Sequence, residues 1–368
     1  MFDRRALLLG TIAAISADAL TTRARAEVTG ELPAFASAAR QADGSFSLVL
    51  LSRDGAVLRN IPLSARGHDV AIDTTSGRAV VFARRPGAFA VAFDLRSAAA
   101  PMVFTAIEGR HFFGHGAFSR DGRLLYVSEN DIAGARGVIG IYDVAAGYRK
   151  IGEHSSYGLG PHEIILLADG RTLAVANGGL DTAPEAGREN LNLDAMEPSL
   201  AFIDAASGAL KARHALTGPL RRLSMRHIAA DRAGRIWFGG QWEGELSQAP
   251  ALIGSASLDS DIHLIADESA PTATLKGYIG SVAMGGGGTI LAASAPKAGR
   301  VVYLDCISGR IIAQSDLRDA CGVAGEADGV FCVSSGFGAL RHERPGGAIL
   351  SEAELANLAF DNHLRRIA

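Results

Sequence analysis

Seven stretches of this chain follow one pattern, and that repeat limits the possible fold more than any other feature. In its full form a histidine precedes an apolar residue, a glycine-containing turn follows seven to nine residues on, and a β-branched or apolar run comes next. His68 turns at Gly77 into 79–82, His115 at Gly122 into 124–127, His162 at Gly170 into 172–175, and His227 at Gly234 into 236–238. Two copies keep the turn and replace the histidine, with Ser281 and Cys321 in its place. A last copy begins at His363 and stops. The anchors lie 40 to 65 residues apart, and several units contain a second strand pair ending near an Asp-x-x-x-Gly turn, such as Asp204 to Gly208. Four short strands per repeat of roughly 40–50 residues is a propeller blade. Seven anchors therefore predict an all-β, seven-bladed β-propeller.

The final repeat supplies only an innermost strand. Residues 47–51, turning at Asp54-Gly55 into Val57, are expected to complete the blade begun at His363. This joining of N- and C-termini removes exposed sheet edges. The propeller is placed at 46–368, with a lead-in at 27–45. A six-bladed count remains open if 248–265 is not a regular blade.

Residues 1–26 read as an export signal. Arg4 and Arg5 precede the apolar stretch 6–17, and Ala24-Arg25-Ala26 offers an A-x-A cleavage site. The paired arginines point to the twin-arginine type and a periplasmic mature protein. An ordinary secretory signal and an N-terminal anchor are the alternatives, but the apolar run is shorter than the roughly 20 residues that span a bilayer. The formal net charge of -3 argues against a nucleic-acid partner. Cys306, Cys321 and Cys332 make an odd number for an oxidising compartment, so one disulfide with one spare thiol, or burial of all three, stays open.

The anchors ring one mouth of the central channel, because each innermost strand starts there. Five are histidines: His68, His115, His162, His227 and His363. Neutral imidazoles suit iron, copper or zinc, and Cys321 would add a thiolate. Asp69, Glu163 and Glu129 are candidates to orient the ring N–H groups. The loops between second and third strands reach the same face. They bring Arg84, Arg85, Arg136, Gln241, Glu243, Lys297 and Arg300 to that face, and Asn130 with a long segment carrying Asn177, Arg188 and Asn190 is expected to shape the mouth. Two other readings compete with a metal: a small-molecule or anion site, and hydrogen-bonding histidines with only a structural role. His111 would assist near the mouth, His154 reads as a loop residue, and His214, His263 and His342 as surface residues. No Gly-Lys-Ser/Thr follows a glycine loop, so no nucleotide is expected, and without Cys-x-x-Cys-His no covalent haem.

The stretches GHGAFSRDGRLLYVSEND from Gly114, GPHEIILLADGRTLAVANGG from Gly160, GRENLNLDAMEPSL from Gly187, LSMRHIA from Leu223 and the terminal FDNHL resemble the domain of unknown function 1513 family. These are exported propellers related to the YncE-like and quinoprotein amine dehydrogenase β-chain-like groups. The resemblance implies a twin-arginine-exported periplasmic protein associated with imelysin-type and di-haem proteins of iron handling. It tilts the expected metal toward iron, with copper next, and supplies no catalytic residues. A metal-handling protein is the leading expectation. A lactonase-like or metal-dependent enzyme at the same mouth, and a non-catalytic interaction scaffold, are the alternatives.

Overall fold

The computed structural model describes residues 33–85, 87–181, 192–265 and 272–367. The export-signal reading at 1–26, Arg188 and Asn190 lie outside the described residues. Seven antiparallel sheets form, six of four strands and one of five. The innermost strands are Gly67–Asp73, Arg110–Phe118, Pro161–Leu166, Leu223–Ala230, Ser281–Met284, Ala320–Gly325 and, in the last blade, the pair Leu358–Phe360 and Arg365–Arg366. Each packs against its neighbours around the axis, and the ring closes between the last blade and the first. The chain is a seven-bladed β-propeller.

Strand composition follows position in the blade. The second strands, such as Arg78–Ala83 and Thr172–Asn177, are almost wholly buried and read as continuous apolar or small-residue runs. They lie sandwiched between adjacent blades, so both faces need apolar cover. Outer strands such as Val57–Leu63 and Arg310–Asp316 keep exposed positions on one face. Aromatic rings fill the wedges between blades: Phe82, Phe104, Phe112 and Tyr142 between the first two, and Phe202, Trp237 and Phe238 in the largest cluster. In the Asp-x-x-x-Gly turns Gly208 and Gly309 donate to the carbonyls of Asp204 and Asp305 at 2.8 Å. Their φ values of 73° and 70° are left-handed, which is why glycine stands there.

The closing blade differs in one strand from expectation. The strand that pairs with the C-terminal Leu358–Phe360 and Arg365–Arg366 is Phe35–Gln41, ahead of the boundary at 46. Phe46–Leu51 and Val57–Leu63 lie further out. Its sequence, FASAARQ, is rich in Ala and Ser, which hide a strand from pattern reading. The doubtful stretch 248–265 holds the regular strands Ile253–Ser257 and Ser260–Leu264, so the six-bladed count falls. All three cysteines are buried and free.

Several histidines outside the ring sit elsewhere than expected. His154 lies in the strand Arg149–Ser155, its Nε2 3.2 Å from the Ala205 carbonyl. His342 is buried between Glu326, at 2.6 Å, and the Arg53 carbonyl, at 2.9 Å, and so ties blade six to blade seven. His214 bonds Asp261 and the Ser257 carbonyl, both at 2.8 Å, bridging blades three and four. His342 and His214 stitch blades together where they were read as surface residues, and His154 stands in a strand where a loop was expected.

Candidate metal centre

The five anchor histidines meet on the axis. All are buried or nearly so, and nine ring pairs among them have centroids between 4.6 and 6.4 Å apart. The backbone device that brings them there is a register shift. The pairing of inner and second strands slips between Gly67 and Val70, Phe112 and Gly116, Pro161 and Ile164, and Met225 and His227. Each slip contains or abuts the histidine, and a bulge re-aims the side chain it carries. Buried serines hold the displaced carbonyls. Ser128 Oγ donates to His115 O at 3.2 Å and His162 O at 2.9 Å, and Ser37 Oγ to His363 O at 2.6 Å. Gly114 passes so close to His68 that an added Cβ would come within 2.6 Å of its ring, and its φ is +96°.

Acidic side chains orient the rings, and they do so across blades. His115 Nδ1 lies 2.8 Å from Asp69, His227 Nδ1 3.3 Å from Glu163, and His68 Nδ1 3.2 Å from Asp361. A carboxylate accepts, so these Nδ1 atoms carry the protons and donate them, which leaves the Nε2 lone pairs for another partner. Arg365 grips Asp69 through Nε at 2.7 Å and Nη2 at 2.5 Å, and Nη2 also reaches Glu163 at 2.5 Å. Arg84 and Arg66 bond Asp361 at 2.6 and 2.5 Å.

Protonation states follow from this packing. Burial drives the His68 imidazole down to about 3 and His227 to about 4, with their carboxylate partners opposing only in part. Burial likewise holds His162 and His363 well below the ordinary imidazole range, with neighbouring imidazoles adding to the effect. Burial alone would raise the carboxyls, but the Arg365 charge outweighs it, holding Glu163 near 2 and Asp69 well below its usual range. Asp361 is also depressed, against burial, chiefly by Arg84. Those four rings are therefore neutral, and the three acids charged, at neutral pH.

Among the described residues, three buried nitrogens of the five anchor histidines have no hydrogen-bond partner: His115 Nε2, His363 Nε2 and His162 Nδ1. Leaving such atoms unsatisfied costs about 1–3 kcal/mol each. Two all-histidine triplets lie within 4.8 Å, His68 with His115 and His162, and His115 with His227 and His363, and a third joins His115 to Asp69 and Glu163. Ligands of a tetrahedral ion at about 2.1 Å sit about 3.4 Å apart, so sets spread over as much as 4.8 Å would have to draw inward by up to about 1.4 Å to share one ion. Neutral imidazoles with inward lone pairs and Nδ1–H groups held by carboxylates form a donor set that fits a transition metal.

Other candidates do not join. Among the described residues no metal-ligating group contains Cys321. Its thiol is buried, which raises it well above the ordinary thiol range and disfavours a thiolate ligand. Asn177 donates to the Ser156 carbonyl, in the link from blade two, at 2.9 Å and to Ser199 of its own blade at 3.3 Å. Asn130 is buried opposite His111 in blade two. Glu129 serves Tyr142 and Lys150 rather than a histidine. His111 packs on Phe113, which borders the cavity over the rings. Asp361, Arg365 and Arg226 stand outside the repeat positions and carry no repeat signal. Asp361 and Arg365 each stand two positions from His363, and Arg226 directly precedes His227.

Fold and site together define a propeller with a buried imidazole cluster on its axis. The chain belongs to the family described as protein of unknown function DUF1513, whose model matches residues 61–367. No curated protein matches it. Among solved structures it is similar to Kuenenia stuttgartiensis hydrazine synthase, at 15% identity and TM-score 0.63, covering 87% of this chain and 98% of that one. It is also similar to the Pseudomonas aeruginosa periplasmic gluconolactonase PpgL, at 14% and 0.58, covering 92% and 99%. BamB from Moraxella catarrhalis matches at 13% and 0.51, over 89% of each chain. Likenesses this distant speak to the fold alone. Among the described residues no helix is long and apolar enough to cross a membrane.

Proposed function

We propose that this protein binds one divalent transition-metal ion, iron first and copper next, through His68, His115, His162, His227 and His363, and that it works in metal handling outside the cytoplasm. The observation that carries the reading is the set of three buried nitrogens of the anchor histidines with no partner. Five imidazole donors, three of them bordering a cavity, exceed the four-coordinate preference of structural zinc and suit iron or copper better. Such an ion would supply Lewis acidity and a one-electron couple. The protein's part is to hold the rings neutral, fix their tautomers through Asp69, Glu163 and Asp361, and exclude bulk water. The reading of residues 1–26 supports export. The family resemblance makes imelysin-type or di-haem proteins the first partners to test.

A metal-dependent or lactonase-like enzyme is the second reading, favoured by the cavity that opens on His68, His162 and His227. Turnover of a lactone panel would establish it. The metal itself is tested on untagged, exported protein by elemental mass spectrometry. About one ion per chain is expected, regained on titration after stripping and lost in His115→Ala, the residue shared by both all-histidine triplets. Protein that contains no metal and takes none up overturns the reading.

A further inference from the structure

Over the imidazoles lies a cavity of about 30 Å³, bordered by His68, His162 and His227 and by the guanidinium side chains of Arg84, Arg85 and Arg226. Phe113 and Tyr278 complete its wall, and no carboxylate is among the described residues that line it. A single water needs roughly 10–15 Å³, so the space suits a body of roughly two or three heavy atoms.

Arg226 is only 8% exposed. Its Nη2 bonds Glu243 at 3.1 Å, but its Nε is buried without a partner. Successive residues of a regular strand point to opposite faces. Here the register slips between Met225 and His227, and the slip lets Arg226 and His227 border the same space. His162, across the cavity, contributes its own unpartnered Nδ1. Two residues that border this one cavity therefore each carry a buried polar nitrogen with no partner.

The local charges sharpen the choice. Asp69, Glu163 and Asp361 are matched by Arg365, Arg84 and Arg66, and Arg226 by Glu243. The imidazoles of His68, His162, His227 and His363 bring no charge of their own. A divalent ion among them would leave its own charge uncompensated in a buried place, which is costly unless an anion joins it.

We propose that this cavity is a binding site for a small monoanion of two or three heavy atoms, held between the metal ion and Arg226. The proposal rests on the metal reading above. Copper(II)-loaded protein titrated with azide or formate should show a ligand-to-metal absorption band with azide and a changed electron paramagnetic resonance spectrum with either. Inorganic phosphate, too large for the space, should change neither. Read per bound ion, Arg226→Gln should weaken azide at least tenfold, and Arg226→Lys, which keeps the charge, by less. Metal content measured first separates the two ideas. Without bound metal both fall. With a full complement of metal and no response to azide, or with Arg226→Gln matching the wild type, only the anion site falls.

Discussion

Asp69 follows His68 in the chain, yet it bonds His115 of the next blade. Glu163 follows His162 and bonds His227 in the same way. The rule also accounts for the exceptions. Gly116 follows His115, so no acid reaches His162 from that side, and Gly322 follows Cys321, so none reaches His363. Those two rings are among the three with an unpartnered nitrogen. The histidine register was legible because a repeat puts like residues at like positions. Asp69 and Glu163 were legible as neighbours, but the histidine each serves lies 46 and 64 residues on, a pairing that only blade stacking creates. Asp69→Asn keeps the shape and removes the charged acceptor from His115. It should lower metal affinity about 10–100-fold, as competition titration against a chelator would measure, while affinity equal to the wild type would speak against the orienting role.

At the scale of the strand, the bulges decide where the histidines point. No residue type marks a bulge in this sequence, and reading anchors as strand starts misses it in two blades. The strands Arg110–Phe118 and Leu223–Ala230 begin well ahead of His115 and His227. The serines beneath the bulges were equally silent, because a buried Ser in an apolar strand looks like ordinary filler until its acceptor is seen. Ser128 serves two carbonyls, those of His115 and His162. Ser128→Ala should cost about 1–3 kcal/mol of stability and weaken the metal site, because both histidine backbones lose the same anchor. Denaturant midpoints and metal titration on the one variant check both effects. A stability loss with metal affinity untouched would show that the serine braces the blades and not the site.

For the whole molecule, closure of the ring and assembly of the site are one event. Arg365, in the last strand, binds Asp69 of blade one and Glu163 of blade three. The C-terminus thus completes the propeller and the carboxylate frame together. This part was not legible, since the last repeat is cut short and its partners lie across the axis. The same packing sets how the metal-free protein answers acid. In the unfolded chain His68, His162, His227 and His363 take up protons below about 6.5. In the native state burial keeps them neutral down to about 4 for His227 and about 3 for His68. The unfolded state then binds more protons, so stability is full above pH 6.5 and falls as pH drops toward 4, by roughly 1.4 kcal/mol per unit for each such histidine. The melting temperature of metal-free protein should fall steeply between pH 6.5 and 5, and a flat profile would contradict the neutral, buried cluster.

The central claim is that imidazoles on the propeller axis hold a metal ion. X-ray absorption at the metal edge of untagged, exported protein tests it most directly. The account predicts four or five nitrogen scatterers at about 2.0–2.2 Å with the multiple-scattering pattern of imidazole, and no sulfur from Cys321. An oxygen-only shell, a sulfur ligand or no bound metal would contradict it.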